Sequence, residues 1–311
     1  MTSAGRFAPS PSGELHVGNL RTAILAWLFA RSTGRRFLMR VEDLDRARAG
    51  AEAEQLRDLA AIGVSWDGGV VRQTDREHLY AEVIAQLTAA GLTYECFCTR
   101  REIQEAPSAP HAPLGAYPGT CRDLTGAERE AKRATRPPAV RLRSAVAEAT
   151  VRDALHGTYT GVVDDFVLRR NDGVTAYNLA VVVDDVAQGI DQVVRGDDLL
   201  PSTPRQAYLA SLLNMPAPEY AHVPLVLNAD GARLAKRDGA VTLADLALAG
   251  VNADQVRNTL LASVGLPPGP LEFALAVFDP AALPREPWVW PGIPRPDPGT
   301  GGRARTDSRG A

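Results

Sequence analysis

The run Arg6-Phe7-Ala8-Pro9-Ser10-Pro11-Ser12-Gly13-Glu14-Leu15-His16-Val17-Gly18-Asn19 sets a cation, a Pro-Ser-Pro turn and a glycine-flanked histidine directly ahead of an apolar segment. Leu20, Ala23, Ile24, Trp27 and Leu28 then recur at the spacing of one helix face. A loop that enters a helix presents unpaired backbone N–H groups and the positive end of the helix dipole to an anion. Gly13 and Gly18 let backbone approach a ligand closely, and His16 adds a donor without a permanent charge. The chemistry suggested is phosphate binding. An ordinary loop before a core helix shares the general look, but the complete run is far more specific than a lone glycine pattern.

Other charged or soft groups follow in order. Arg40-Val41-Glu42-Asp43-Leu44-Asp45 places carboxylates just after an expected strand, where Glu42 can pair with an ammonium; an acidic helix-capping turn is the alternative. Arg195, in Val194-Arg195-Gly196-Asp197-Asp198-Leu199, can join Arg6 in charge-assisted contacts to a carboxylate. Tyr177 opens an apolar run through Asp185 and offers a hydroxyl, or simply a core ring. Lys236, in Arg233-Leu234-Ala235-Lys236-Arg237, lies among turn formers from Asn228 to Gly239; it is a mobile cation for phosphates or a solvated surface residue. Cys96, Cys98 and Cys121 match a soft tetrahedral ion such as zinc, which needs a fourth ligand; His111 is the ordinary candidate, and three unrelated reduced thiols are the alternative. An odd cysteine count argues against a disulfide framework.

These groups need a scaffold. At 311 residues, 45% hydrophobic and 23% charged, the chain has the make-up of a globular protein with more than one lobe. No apolar run reaches membrane-spanning length and no signal-peptide pattern precedes the first motif, so a cytoplasmic protein without a membrane partner is expected. The net charge of −3 does not suggest a nucleic-acid binder. A local cluster of Arg129, Lys132, Arg133, Arg136, Arg141 and Arg143 is either a nucleic-acid face or a solvated helix face.

Strand and helix signals alternate over residues 1–95. They read as a strand ending near Ala8, a helix from Leu20 to Thr33, a strand from Arg36 to Val41, and helices over Ala51–Ile62 and Asp75–Ala90. This alternation predicts an α/β, Rossmann-like doubly wound parallel sheet, with ligands beyond the carboxyl ends of its strands. Residues 96–165 break the pattern and read as an insertion carrying the thiols. Residues 166–226 resume the sheet, with Leu179–Val183 as strand or helix. A small, mostly helical C-terminal lobe follows over 227–283, and the Pro/Gly-rich segment 284–311 is expected to be disordered.

Taken together, the first motif resembles the nucleotide-binding signature of class I aminoacyl-tRNA synthetases in its glutamyl form, with Asn19 where the second histidine usually stands. The Glu42, Tyr177, Arg195 and Lys236 segments agree in order, and the pattern is most similar to the shortened glutamyl-queuosine tRNA(Asp) synthetase group, over roughly residues 4 to 280. The resemblance implies ATP, as its magnesium complex, at Pro9, His16, Gly18, Asn19 and Lys236, with His16, Asn19 and Lys236 catalytic. It implies L-glutamate at Arg6, Phe7, Ala8, Pro9, Ser10, Glu42, Tyr177 and Arg195. It implies zinc, Zn(2+), on Cys96, Cys98, Tyr117 and Cys121, with tyrosine as an oxygen ligand. Because little chain follows Pro267, no separate anticodon-reading domain is expected, and the implied partner is the tRNA(Asp) anticodon stem-loop. A truncated glutamyl-tRNA synthetase, or a catalytically silent tRNA-binding relative suggested by Asn19 and Ala235, are the alternatives.

Overall fold

The computed structural model describes residues 3–105, 116–232, 234 and 241–292. Strand β1 (Ala4–Phe7) is followed by α1 (Val17–Ser32), β2 (Arg36–Val41), α2 (Ala51–Ala61), β3 (Val71–Arg72) and α3 (Glu77–Ala89). Next come β4 (Thr93–Cys96), α4 (Arg100–Glu105), α5 (Gly126–Arg133), β5 (Ala139–Leu142), β6 (Glu148–Asp153), β7 (Gly157–Val162) and β8 (Val167–Arg169). The second half holds α6 (Tyr177–Ala187), β9 (Ile190–Gly196), α7 (Thr203–Leu212), β10 (Glu219–Val223) and β11 (Val226–Leu227). Helices α8 (Leu243–Leu248), α9 (Ala253–Ala262) and α10 (Leu271–Leu275) precede strand β12 (Trp288–Val289).

The main sheet has the order β3-β2-β1-β9-β10-β6-β7. Its strands run parallel except for the antiparallel β6–β7 hairpin at one edge. The chain enters at the centre with β1, builds outward through β2 and β3, and returns on the other side of β1 with β9 and β10. Loops leaving β1 and β9 therefore diverge, and a crevice opens beyond their carboxyl ends. Arg6 on β1, Arg195 on β9 and Glu42 just past β2 all reach that end of the sheet.

Helix α1 fills the layer behind the crevice. Twelve of its sixteen residues are buried, which gives it apolar contacts all round rather than one stripe. One side packs on the sheet so closely that a Cβ on Gly5 would stand 2.9 Å from the Cβ of Ala30. The other side packs on the C-terminal helices: Ile24 and Leu28 share one core with Val256, Leu260 and Leu271. Arg21 crosses this layer, donating from Nη1 to the Pro224 carbonyl at 2.8 Å and from Nε to Ser263 Oγ at 2.9 Å.

The sheet is the Rossmann-like one expected, but several boundaries differ. The helix after the first motif begins at Val17, because His16 already serves as its N-cap. Leu179–Val183 is helical, inside α6. Strands β6 and β7 lie within the expected insertion yet belong to the main sheet, whereas β8, beyond it, joins β4 and β5 in a separate three-stranded antiparallel sheet. Alternating exposed residues along β6 and β7 hid an edge hairpin among loop-like signals. The expectation of disorder from Pro284 onward fails for residues 284–292. There β12 pairs with β11, and Trp290 is buried in the main core beneath them. Residues 293–311 lie outside the described residues.

Candidate active site

The phosphate-type loop is built from its own short-range bonds. His16 takes the N-cap of α1, and its ring Nδ1 accepts the Gly18 N–H at 3.1 Å. Asn19 Oδ1 accepts the His16 N–H at 3.2 Å, closing a reciprocal cap. Asn19 thus fixes the entry to the helix, which its position in the motif alone did not disclose. Because Nδ1 accepts, the imidazole proton sits on Nε2. A Cβ on Gly18 would lie 2.9 Å from His16 Cε1, so the glycine is what lets the ring fold over the helix start. Gln55 on α2 donates to the Ser10 and Gly13 carbonyls at 3.0 and 2.5 Å and holds the loop from outside. The Val17 N–H donates to the Val241 carbonyl at 3.0 Å, beside a single bridge between His16 and Thr242.

The other end of the crevice is made of buried charge. Arg6 donates from Nε to Asp185 Oδ1 at 3.2 Å. Arg40, with no exposed surface, donates from Nη1 to the same oxygen at 2.7 Å and approaches Glu42 Oε1 at 3.4 Å. Burial drives the Glu42 carboxyl above the usual glutamate range, against the pull of Arg40 and Arg6. Burial also pushes on Asp185, but there the two guanidiniums win and hold its carboxyl low. Arg195 approaches the Tyr177 hydroxyl at 3.5 Å. Arg40 and Asp185 lie within segments that stood out in the sequence but had no role of their own there, and Gln55 did not stand out. Each takes its role from a partner distant in the chain: Arg40 and Asp185 meet across 145 residues, and Gln55 reaches back to Ser10 and Gly13.

One cavity of about 700 Å³ joins the two ends. Arg6, Phe7, Ala8, Pro9 and Ser10 line it from β1 and the loop after it, with His16, Gly18 and Asn19 at the α1 terminus. Glu42, Tyr177 and Arg195 complete its walls. The structure therefore gathers every expected amino-acid and nucleotide contact into one space except Lys236, which lies outside the described residues, as does His111. Leu234, just before that segment, is buried and lines the cavity.

The three thiols also meet, in a small core of their own around β4. The Cys96, Cys98 and Cys121 sulfurs lie within 4.8 Å of one another, and all three are free thiols. Cys98 and Cys121 Sγ are 3.5 Å apart, and the Tyr117 hydroxyl lies 3.3 and 3.6 Å from Cys96 and Cys98 Sγ. Tetrahedral ligation with metal–sulfur bonds of about 2.3 Å requires sulfurs about 3.7 Å apart, so this donor set fits a metal ion such as zinc. The Arg141 guanidinium lies 3.6 Å over the Tyr117 ring. Burial raises the Cys98 thiol to about 12; at Cys96 burial is outweighed by Tyr117 and Arg141, and the thiol is lowered.

The cation cluster read as either a nucleic-acid face or a solvated helix face is largely committed to protein partners. Arg141, on β5, is buried and donates to the Asp165 carbonyl at 2.8 Å, so it cannot grip a backbone. Arg133 forks onto Glu95 at 2.7 Å, Arg136 donates to the Phe97 carbonyl at 2.9 Å, and Arg143 pairs with Asp123 at 2.9 Å. Arg141 is drawn inward by the Tyr117 ring and the Asp165 carbonyl, a tertiary effect that a count of charges misses.

Comparison with known proteins gives concordant results. Residues 4–267 match the family of class I tRNA synthetases (E and Q), catalytic domain. A glutamyl-Q tRNA(Asp) synthetase from Nocardia farcinica is 68% identical over 287 residues, 92% of each chain. A protein of that description from Symbiobacterium thermophilum is 47% identical over 304 residues, 91% of this chain and 94% of the other. Among solved structures, a glutamate tRNA ligase from Elizabethkingia meningosepticum, in complex with its amino acid, aligns with a TM-score of 0.78 at 25% identity. It covers 93% of this chain and 66% of that one. No helix among the described residues is long and apolar enough to cross a membrane.

Proposed function

The chain belongs to the class I tRNA synthetases of the E and Q type, and on that premise we propose that it activates glutamate with ATP and joins it to queuosine in tRNA(Asp). The observation that carries this reading is the single cavity, with enclosed guanidiniums and a carboxylate at one end and a histidine-capped helix start at the other. A carboxylate of glutamate attacks the α-phosphorus of ATP, and pyrophosphate leaves. A ring hydroxyl of queuosine then attacks the mixed anhydride, AMP leaves, and an ester remains. Arg6 and Arg195 hold carboxylate, Glu42 takes the ammonium and Tyr177 orients the chain, with Phe7, Ala8, Pro9 and Ser10 as the floor. His16 and the α1 terminus stabilise charge developing on the α-phosphate, Pro9, Gly18 and Asn19 shape the nucleotide end, and Lys236 addresses the outer phosphates, which enter with Mg(2+). The reaction places the enzyme in the cytoplasm with its tRNA.

Zinc on Cys96, Cys98, Cys121 and Tyr117 would cross-link the β4 region as a structural ion. Metal analysis should find one zinc per chain, lost in Cys98→Ser. Retention of the metal in Tyr117→Phe but not in His111→Ala would replace the fourth ligand.

The decisive experiment feeds labelled glutamate and ATP to tRNA(Asp) with and without queuosine, and to the isolated anticodon stem-loop. Label should enter the modified tRNA and the stem-loop, in alkali-labile form, and survive removal of the 3′-terminal adenosine. Label that needs that adenosine would identify a short glutamyl-tRNA synthetase instead. No glutamate-dependent pyrophosphate exchange at all would identify a silent binder.

A further inference from the structure

Behind Arg195 lies a polar chain that touches no part of the cavity. Arg195 Nε donates to His222 Nε2 at 3.0 Å, and its Nη2 donates to Thr203 Oγ1 at 2.9 Å. On the far side of the ring, His222 Nδ1 lies 2.6 Å from Asp153 Oδ2. The His222 and Asp153 side chains have no exposed surface. Asp153 is itself fixed: its carboxylate accepts the backbone N–H groups of Leu155, His156 and His222 at 2.9 to 3.0 Å. The residues come from three places in the sheet. Arg195 is on β9 and His222 on β10, directly opposite each other in the register; Asp153 ends β6, the next strand.

A guanidinium keeps its protons, so its Nε can only donate. His222 Nε2 must accept, the ring proton must sit on Nδ1, and Asp153 is the group that keeps it there. We propose that Asp153 and His222 are positioning residues, which lock the imidazole tautomer and thereby aim the Arg195 guanidinium at a substrate carboxylate. This rests on the reading of the cavity as a glutamate site. Nε and one terminal N–H are spent on protein partners, which turns the remaining terminal donors toward Tyr177 and the cavity. The β6–β7 edge hairpin thus contributes a group to amino-acid recognition through one intervening strand, β10.

Asp153→Asn is the sharp test, because it preserves size. The new amide can donate to Nδ1, moving the ring proton to Nε2, where it opposes the Arg195 N–H. In glutamate-dependent pyrophosphate exchange the KM for glutamate should rise roughly tenfold or more, as for one disrupted hydrogen bond to a charged group. The KM for ATP should stay within about twofold, as expected for an end of the cavity this chain does not touch. His222→Gln, which restores an acceptor, should recover part of the loss. In an Arg195→Lys background Asp153→Asn should add little, since the coupled partner is gone. A folded Asp153→Asn protein with unchanged KM for glutamate, or one in which both KM values rise together, overturns the proposal. Nitrogen chemical shifts of His222 decide it without substrate: the native ring should carry its proton on Nδ1, and a proton on Nε2 refutes the relay. Native protein that performs no exchange with glutamate would instead refute the glutamate reading, while the nitrogen shifts still decide the relay.

Discussion

The two ends of the cavity solve opposite problems. At the amino-acid end each ionic group is enclosed and answered: Arg6 and Arg40 share Asp185, Arg40 also faces Glu42, and Arg195 leans on His222 and Thr203. At the nucleotide end the groups at the start of α1 are neutral or backbone: the glycine-bearing turn, the His16 ring and the Asn19 amide. The charged Glu14 and Arg46 that also line the cavity are solvent-exposed rather than enclosed. A small zwitterion must be recognised by charges held in fixed places, and the low-dielectric surroundings make each of them strong and costly to leave alone. A triphosphate brings its own charge and its own cation, so dipoles and N–H groups suffice to seat it, with the Lys236 amine added for the transition state. The first end should therefore couple substrate binding to folding, and the second should not.

Arg6→Ala tests this most severely. It leaves Asp185 with one fewer partner in a closed site, and chemical denaturation should record a loss of about 3–5 kcal/mol, as when one partner of a buried ion pair is removed. Exchange activity should vanish with it. Retained stability would mean that the network is wetter than its burial indicates. Lys236→Ala should show the converse, a slower adenylate step by about 2–4 kcal/mol of barrier with an unchanged melting profile. Equal losses in both would erase the contrast. Gly18→Ala forces the His16 ring aside and should cost about 1–3 kcal/mol, as overpacked sites do. Its effect should appear in the KM for ATP and spare that for glutamate. The mildest probe is pH. Glu42 is held above the ordinary glutamate range, so it gains its proton early as the solution is acidified. Glutamate should then lose its ammonium partner, and its KM should climb several-fold while that for ATP is still flat. Asp185, held low by Arg6 and Arg40, keeps its contribution to stability at that stage and surrenders it only further into acid, as pH falls through its depressed pKa.

How much of this could be read beforehand depended on distance along the chain. His16, Gly18 and Asn19 form one short motif whose partners lie within it, so the helix was legible there, although its start, read at Leu20, lies at Val17 because His16 is the cap. Arg36–Val41 was legible as a strand because Phe37, Leu38, Met39 and Val41 make a short apolar run that sits between helices. Tyr177 and Arg195 gained meaning only from resemblance, for a lone tyrosine or arginine has no local signature. Asp153 and His222, 69 residues apart, meet only once β10 has paired with β6, and nothing near either announces the other. Trp288 and Val289 were hidden by surrounding prolines, which are tolerated beside a two-residue edge pairing with β11. Arg141 misled for the same reason in reverse: charge is a property of the residue, but exposure is a property of the fold.

The anchors on either side of Lys236 set the reach of that lysine. Leu234 is fastened beside the cavity, its N–H toward the Val226 carbonyl, and Val241 and Thr242 are fastened to the signature loop itself. Only the stretch 235–240 separates these anchors, so chain length alone keeps the amine of Lys236 within reach of the space where phosphates would lie. Both ends of that stretch are placed by folding, so chain length limits the search of the amine before a nucleotide arrives. Lengthening it would cost folding little, about 0.6 kcal/mol for each doubling of loop length. The same insertion would spread the amine over a larger volume and thin its local concentration at the phosphates. The length of chain between two pinned backbones is therefore itself a kinetic parameter, one that can be tuned by inserting glycines and without altering any side chain that touches substrate.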